Sequence, residues 1–443
     1  MTDSARSYLE QFARLESNLQ GLPSWLAAQR REALERFSSE GFPDPRAEEW
    51  KYTNVRPIAR QTFQKPAEAG LEVARTALDG ARFDGLELTD LVFVNGRFRA
   101  DLSSPPIQRP GVRVRDLATV IAAEPGSLEG LLGSAISYQD NSFVSLNTAF
   151  LEDGAVVELA PETTLEQPLR LLMVSAPESE PVVYHPRAVI RVGRQARATV
   201  VEHFLGLEGA RNFCNVVSEV RLEDGARLEH YRIQQEAEQG FLVGSIHAAI
   251  ARDAHYVSHN VNLGGRLVRH DVNVRLAQPG AHCELNGLLV ARGRQHVDNH
   301  TRIHHAAPHT TSQESYKYVL DGHARGVFKG SVLVDRDSQK IEAHQLSGNL
   351  LLSETAEVDT KPELEIYADD VICSHGATVG QLDEASLFYL RSRAVDQETA
   401  RSLLVFAFAD EVISRMALPQ IRSRLEEIMV GRLPDSEKLK GFV

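Results

Sequence analysis

Cysteine is scarce in this sequence: Cys214, Cys283 and Cys373 are the only three among 443 residues. An odd, sparse count argues against a disulfide framework and favours a reducing cytoplasm. No CxxC pair is present, and three thiols cannot form a four-cysteine metal site within one chain. Any metal chemistry must therefore use histidines, carboxylates or a second chain.

The sequence also lacks the features of several other protein classes. It has no run of about 18 apolar residues, so we expect no membrane span. Its formal net charge of −13 disfavours binding to nucleic acid or to anionic membranes. Its first residues lack a secretion signal, and it has no phosphate loop, GxSxG or GxGxxG motif. We therefore expect a cytoplasmic protein of two or three domains that does not hydrolyse ATP itself.

Three regions differ in their sequence pattern. Residues 1–140 form an N-terminal helical and mixed region, in which the helices break at Pro23 and at residues 41–43 and a short strand at residues 91–94 precedes a turn. Residues 141–380 are predominantly strand-like. Residues 381–443 are helical again, with Asp383 and Asp396 as N-caps. The helix after Asp396 is apolar on most faces, so either a partner or the β-helix end and the next helix must cover it.

A small turn recurs through the strand-like region. It ends in an alanine each time, at Ala196, Ala226, Ala254 and Ala281, with separations of 30, 28 and 27 residues. A strand–turn–strand unit of this period predicts a β-helix of stacked units. A propeller blade needs about 40 residues, which is longer than this period. A β-sandwich with regular hairpins is the remaining alternative.

Cys373 and His375 are candidate metal ligands. If residues 365–375 form one strand, these two side chains share its outer face, ~6.6–6.8 Å apart along the strand. Asp370 interrupts the apolar face, which a bulge at Asp369 and Asp370 would explain. A thiolate beside an imidazole suits iron, zinc or copper(I), and two ligands form half of a site. The alternative is an ordinary exposed cysteine and histidine.

A second group of histidines alternates along one predicted strand, at His296, His300 and His304. The flanking threonine and isoleucine favour a strand over a helix, and the glutamate of the zinc-protease motif is missing. A hydrogen-bonded ladder on the solenoid wall is favoured over a metal site.

Several segments resemble the SufB/SufD family of iron–sulfur cluster assembly scaffold proteins. They are Cys373-Ser374-His375-Gly376-Ala377 and the residues to Gly380, Leu382-Asp383-Glu384, residues 387–393, 326–330, 345–353, 362–366 and 298–304, and Glu48-Glu49-Trp50-Lys51-Tyr52-Thr53. The resemblance spans roughly residues 46–410. A SufB-like chain would carry His-Glu-Ala where this one has His375-Gly376-Ala377, so the SufD side of the family is favoured.

The resemblance implies a mainly β protein: a right-handed parallel β-helix flanked by an N-terminal α/β region and a C-terminal helical domain. It implies a non-catalytic scaffold of the SufBCD complex that pairs with SufB through the β-helix and binds the ATPase SufC through the C-terminal helices. The candidate contacts there are Leu387, Phe388, Tyr389, Leu390 and Phe406. A homodimer when SufB is absent is also compatible with it.

By the same resemblance, Cys373 and His375 lie at the interface with SufB, where a nascent iron–sulfur cluster assembles. The cluster would be transient and shared with SufB, with His375 as the main ligand, Cys373 assisting, and no cofactor held by this chain alone. Two alternatives remain open. One is a purely structural adaptor without cluster ligands. The other is a β-helix enzyme acting on acidic polysaccharide through Asp369 and Asp370.

Overall fold

The computed structural model describes residues 8, 12, 22–67, 73, 75–136 and 141–433, and the structural statements below concern these residues. The helix predicted before Pro23 lies largely outside them. No helix within these ranges is long and apolar enough to cross a membrane.

Helices flank a long run of strands. The helices are α1 (Ser24–Glu40), α2 (Arg56–Arg60), α3 (Leu117–Ala123), α4 (Ser142–Ala149), α5 (Glu384–Ser392), α6 (Gln397–Ile413) and α7 (Pro419–Arg432), with short 3₁₀ turns at Glu48–Trp50, Arg75–Ala81 and Pro125–Leu128. The strands are β1 (Thr89–Val94), β2 (Arg97–Phe98), β3 (Val112–Asp116), β4 (Gly154–Leu159), β5 (Leu169–Ser175), β6 (Val182–Tyr184), β7 (Arg187–Val192), β8 (Arg197–Gly206), β9 (Asn212–Leu222), β10 (Arg227–Gln235), β11 (Phe241–Ile250), β12 (His255–Asn262), β13 (Leu267–Leu276), β14 (His282–Ala291), β15 (His296–His305), β16 (Thr311–Leu320), β17 (Arg325–Val334), β18 (Ile341–Leu351), β19 (Glu357–Ile366) and β20 (Val371–Gly380).

The strands form two stacked sheets. Sheet A runs β3-β4-β7-β9-β11-β13-β15-β17-β19, and sheet B runs β2-β1-β5-β8-β10-β12-β14-β16-β18-β20. From β7 onward the chain alternates between the sheets and every pair is parallel, which makes a solenoid of about 8 turns. The predicted β-helix with helices on both sides is confirmed. Because a sandwich of hairpins would be antiparallel, that alternative is wrong.

The recurring turn forms one corner of each coil. Its alanines are all fully buried, at Ala196, Ala226, Ala254 and Ala281. The residue before each alanine has a left-handed backbone: Gln195 (φ 58°), Gly225 (66°), Asp253 (53°) and Gly280 (75°). These residues also donate their N–H to the carbonyl of the next coil's turn. The small alanine side chain lets the corner close over the core, which explains the period seen in the sequence.

The C-terminal helices lie on the outward face of sheet B. The Asp383 and Asp396 side chains accept from the backbone N–H groups of Ser386 and Thr399, so both predicted N-caps are confirmed. The apolar stripe of α6 packs against α7 and side chains of β10, β12 and β14. The solenoid wall, and not its end, therefore covers this helix.

The last coil leaves a sheet edge uncovered. β19 and β20 are the outermost strands of their sheets, and each pairs on one side only among the described strands. Two apolar side chains of β20 are largely exposed, Ile372 at 66% and Val379 at 52%.

Candidate functional site

The strand predicted across residues 365–375 is wrong, because the chain turns a corner there. β19 ends at Ile366 and β20 begins at Val371. Asp370 lies in the turn between them, where its N–H donates to Gln339 Oε1 at 2.8 Å and its carbonyl accepts from Lys340. A solenoid needs a corner between its sheets, and acidic residues favour such turns. The proposed bulge is therefore a turn.

The predicted face of Cys373 is also reversed. Cys373 is the Cα partner of buried Ala343 and packs against a buried cluster that includes Val332, Val334 and Ile341, so its side chain points into the solenoid. Ile372, the residue before it, points outward and is 66% exposed. Burial raises the pKa of the Cys373 thiol, although a hydrogen bond from the Ala343 backbone opposes this. Metal binding through this sulfur would therefore have to displace a proton.

His375 lies two residues along β20, on the same side of the strand as Cys373, and is exposed. Gln345 and Glu314 occupy the matching positions of the two preceding strands of sheet B. The buried Gln345 amide donates to Glu314 Oε2 at 2.6 Å. Burial raises the pKa of Glu314 to about 7 despite this hydrogen bond. His375 thus lies at the open end of a row of polar side chains, Glu314, Gln345 and His375, which we name the polar row.

Within the described residues, no group of three or more His, Cys, Asp or Glu side chains is placed to hold a metal ion. Cys214 and Cys283 are fully buried, and burial raises the pKa of each thiol. Cys373 and His375 are the one cysteine and the one histidine of the described edge strands β19 and β20.

His296, His300 and His304 lie on the outward face of β15 in sheet A, and each has a protein partner. His296 Nε2 is 2.9 Å from the Thr53 hydroxyl. His300 Nε2 lies 3.1 Å from Asp298, and His304 Nε2 lies 3.0 Å from Asp335. These contacts place the three histidines in hydrogen-bonded and ionic networks on the wall of the solenoid.

Part of this network fixes an N-terminal segment, residues 48–53, which we name the docking segment. Trp50 is buried there, with the Arg269 guanidinium 3.7 Å from its ring centroid. Arg269 also donates to the Glu49 carbonyl at 2.7 Å, and Lys329 pairs with the Glu49 carboxylate at 2.6 Å. The contact between this segment and the solenoid wall was not predicted from the sequence. The signal available for it was the opposite charge of Glu48 and Glu49 on one side and of Lys329 and Lys361 on the other.

The C-terminal candidate residues lie on α5 and α6. Phe388 and Tyr389 are 74% and 58% exposed, and no residue of α5 is buried. Leu387, Leu390 and Phe406 are partly buried. The two aromatic side chains therefore form an uncovered apolar surface on α5.

Comparison with known proteins finds one family along nearly the whole chain. The SufBD core domain of SUF system FeS cluster assembly matches residues 174–408, and the SufBD N-terminal region matches residues 2–171. The chain is 32% identical over 417 residues to an iron–sulfur cluster assembly SufBD family protein of Synechocystis, covering 92% of this chain and 91% of that protein. It is 29% identical over 408 residues to the iron–sulfur cluster assembly protein SufD of Escherichia coli, covering 92% and 93%.

Proposed function

We propose, from the premise that the chain belongs to the SufBD family of the SUF system for iron–sulfur cluster assembly, that it is a non-catalytic scaffold subunit. In this proposal it pairs with SufB through the end of its solenoid and supports assembly of a nascent cluster at that interface. The cluster is cargo shared with SufB, and a separate ATPase, SufC, binds the C-terminal helices.

The uncovered edge at β19 and β20 is the observation that carries this proposal. An edge strand presents unpaired N–H and C=O groups that a second chain can pair with. The exposed Ile372 and Val379 add apolar area that would be buried on pairing. A partner with the same solenoid architecture would continue the stack, which favours SufB.

The donors at this edge support a cluster role. His375 is exposed, so an iron atom held between two chains could reach its imidazole. Imidazole and thiolate are both iron ligands, and two of them leave positions that SufB must complete. Because the Cys373 thiol is partly buried and its pKa is raised, we assign it an assisting role and His375 the main one.

The exposed aromatic surface of α5 supports a partner at the C-terminal helices. Aromatic side chains often dominate the binding energy of an interface, and Phe388 and Tyr389 are exposed here in the absence of a partner. We propose that they bind SufC, together with Leu387, Leu390 and Phe406.

The experiment is anaerobic reconstitution of the chain with SufB and SufC, which compares wild type with His375→Ala. His344→Ala is the matched control, because His344 is a partly exposed histidine on the neighbouring strand β18, where its Nδ1 lies 2.7 Å from the Ser374 hydroxyl. Chromatography reports complex assembly, and absorbance reports the cluster. We expect His375→Ala to assemble the complex and lose cluster. If it builds as much cluster as wild type, the chain is a structural adaptor and the chemistry belongs to its partner.

A further inference from the structure

A polar cavity lies on the outward face of sheet A, beside the docking segment. Its volume is about 680 Å³, within the usual range for small-molecule sites. Trp50 forms part of one side, and the floor is formed by outward side chains of β11, β13, β15, β17 and β19. The cavity lies on the opposite sheet from His375. Of the two edge strands it includes β19, through Glu363 and Glu365, and not β20.

Most of the carboxylates that line this cavity already have a cation. Glu49 pairs with Lys329 at 2.6 Å, Asp271 with Arg269 at 2.9 Å, and Glu363 with Lys361 at 2.7 Å. The fourth carboxylate, Glu365, lies on β19, which is two strands from β15 and three strands from β13 in the order of sheet A. The protein thus neutralises most of the negative charge of the cavity itself.

Two cations of the lining have no such partner. Arg275 and Arg302 are exposed, and neither forms an ion pair or side-chain hydrogen bond within the described part of the chain. Arg302 is the Cα partner of Asn273, so the two arginines occupy diagonal positions on adjacent strands, roughly 8 Å apart by strand geometry. Guanidinium groups at this spacing can contact one carboxylate or phosphoryl group together.

A buried imidazole completes the lining. His247 on β11 is nearly fully buried, and its Nε2 atom has no hydrogen-bond partner. Burial lowers the pKa of His247 to about 4. The charge of Arg187 also lowers this pKa, and the charge of Asp271 opposes the shift. The ring is therefore neutral at pH 7, and its Cα partner Asn273 adds an amide beside it. An unpaired buried nitrogen is costly, so a rotation of the ring that turns Nε2 toward the cavity would let a ligand bond to it and recover that energy.

We propose that this cavity binds a small organic anion. Its phosphoryl or carboxylate group contacts Arg275 and Arg302, and its uncharged polar part bonds to His247 and Asn273. The site lacks the grouped His, Cys, Asp and Glu ligands of a metal centre among the described residues.

The test is isothermal titration calorimetry of the full chain at low salt with two probes, inorganic pyrophosphate and tricarballylate. We expect saturable binding of one probe at one site per chain. Binding of pyrophosphate would identify the ligand's anionic group as a phosphoryl group, and binding of tricarballylate would identify it as a carboxylate. Arg275→Gln and Arg302→Gln should each weaken binding ~10-fold, since each removes a charge-assisted hydrogen bond. His247→Leu should weaken it as well, with thermal unfolding checked to confirm a folded chain.

Arg252→Gln is the matched control, because Arg252 is an exposed arginine on a turn outside the cavity. It should leave binding unchanged. The proposal is overturned if neither probe binds with a dissociation constant below about 1 mM, which corresponds to about 4 kcal/mol of binding energy. It is also overturned if Arg252→Gln weakens binding as much as the two cavity variants.

Discussion

Replacing Arg232 by methionine removes the cation of an ion pair inside the solenoid. Arg232 is fully buried; its Nε donates to Glu202 Oε2 at 2.6 Å and its Nη2 donates to Ser218 at 2.8 Å. Burial works to raise the pKa of Glu202, but Arg232 and His230 hold it well below its usual range. Without Arg232 the buried Glu202 carboxylate keeps only the longer contact with His230 Nε2, 3.7 Å away, and its hydrogen bond from Ser218. Removing one partner of a buried ion pair costs about 3–5 kcal/mol. At an m-value of about 3 kcal/mol/M, the urea midpoint falls by about 1 M or more.

The assay is urea unfolding followed by circular dichroism at pH 8 and pH 5. In the variant, burial acts on the pKa of Glu202 without the opposition of Arg232. Protonation of Glu202, or of His230 beside it, removes the uncompensated negative charge, so the loss of stability shrinks as pH falls. Arg232→Met with Glu202→Gln should recover much of the stability. Arg191→Met, which breaks the exposed pair with Glu223, should cost less than about 1 kcal/mol. A loss below about 1 kcal/mol for Arg232→Met, or a loss independent of pH, would refute the reasoning.

Three further predictions concern the polar row and the docking segment. Gly330→Ala places a Cβ 1.9 Å from the Gln345 amide nitrogen and should cost about 1–3 kcal/mol in urea unfolding, whereas Gly380→Ala, with open space around it, should not. Trp50→Ala should speed amide exchange in residues 48–53 and leave the solenoid protected; unchanged exchange would contradict the packing described. Burial opposes the charge of His300, but its carboxylate neighbours raise its pKa. The stabilisation is therefore full below about pH 6.5 and is lost as pH rises through the folded pKa. After division by the intrinsic, base-catalysed exchange rate, exchange in residues 48–53 should increase from pH 6 to 8 in wild type and stay flat in His300→Gln.

The solenoid could be predicted from sequence because its repeat is local. Each corner needs a small buried side chain after a left-handed residue, and this requirement leaves an alanine at a nearly fixed period, as at Ala226 and Ala254. The N-caps Asp383 and Asp396 were readable for the same reason, since a cap contacts residues only three positions away.

The remaining features depend on contacts between distant residues. Alternation along residues 365–375 gave the wrong faces from Val371 onward, because the corner before Val371 resets the alternation and a single sequence does not show which acidic pair forms a corner. The contact of Trp50 with Arg269 joins positions more than 200 residues apart. Local patterning carries no information about such a pair, nor about which polar side chains point into the solenoid.

The most direct test of the central claim is pulsed electron paramagnetic resonance on the reduced cluster of the reconstituted complex. This chain alone carries ¹⁵N-labelled histidine, and SufB and SufC are unlabelled. We predict a ¹⁵N coupling to the cluster in wild type and in His344→Ala, whereas His375→Ala loses the cluster signal itself. A cluster that forms with no ¹⁵N coupling would contradict the claim that this chain supplies a ligand.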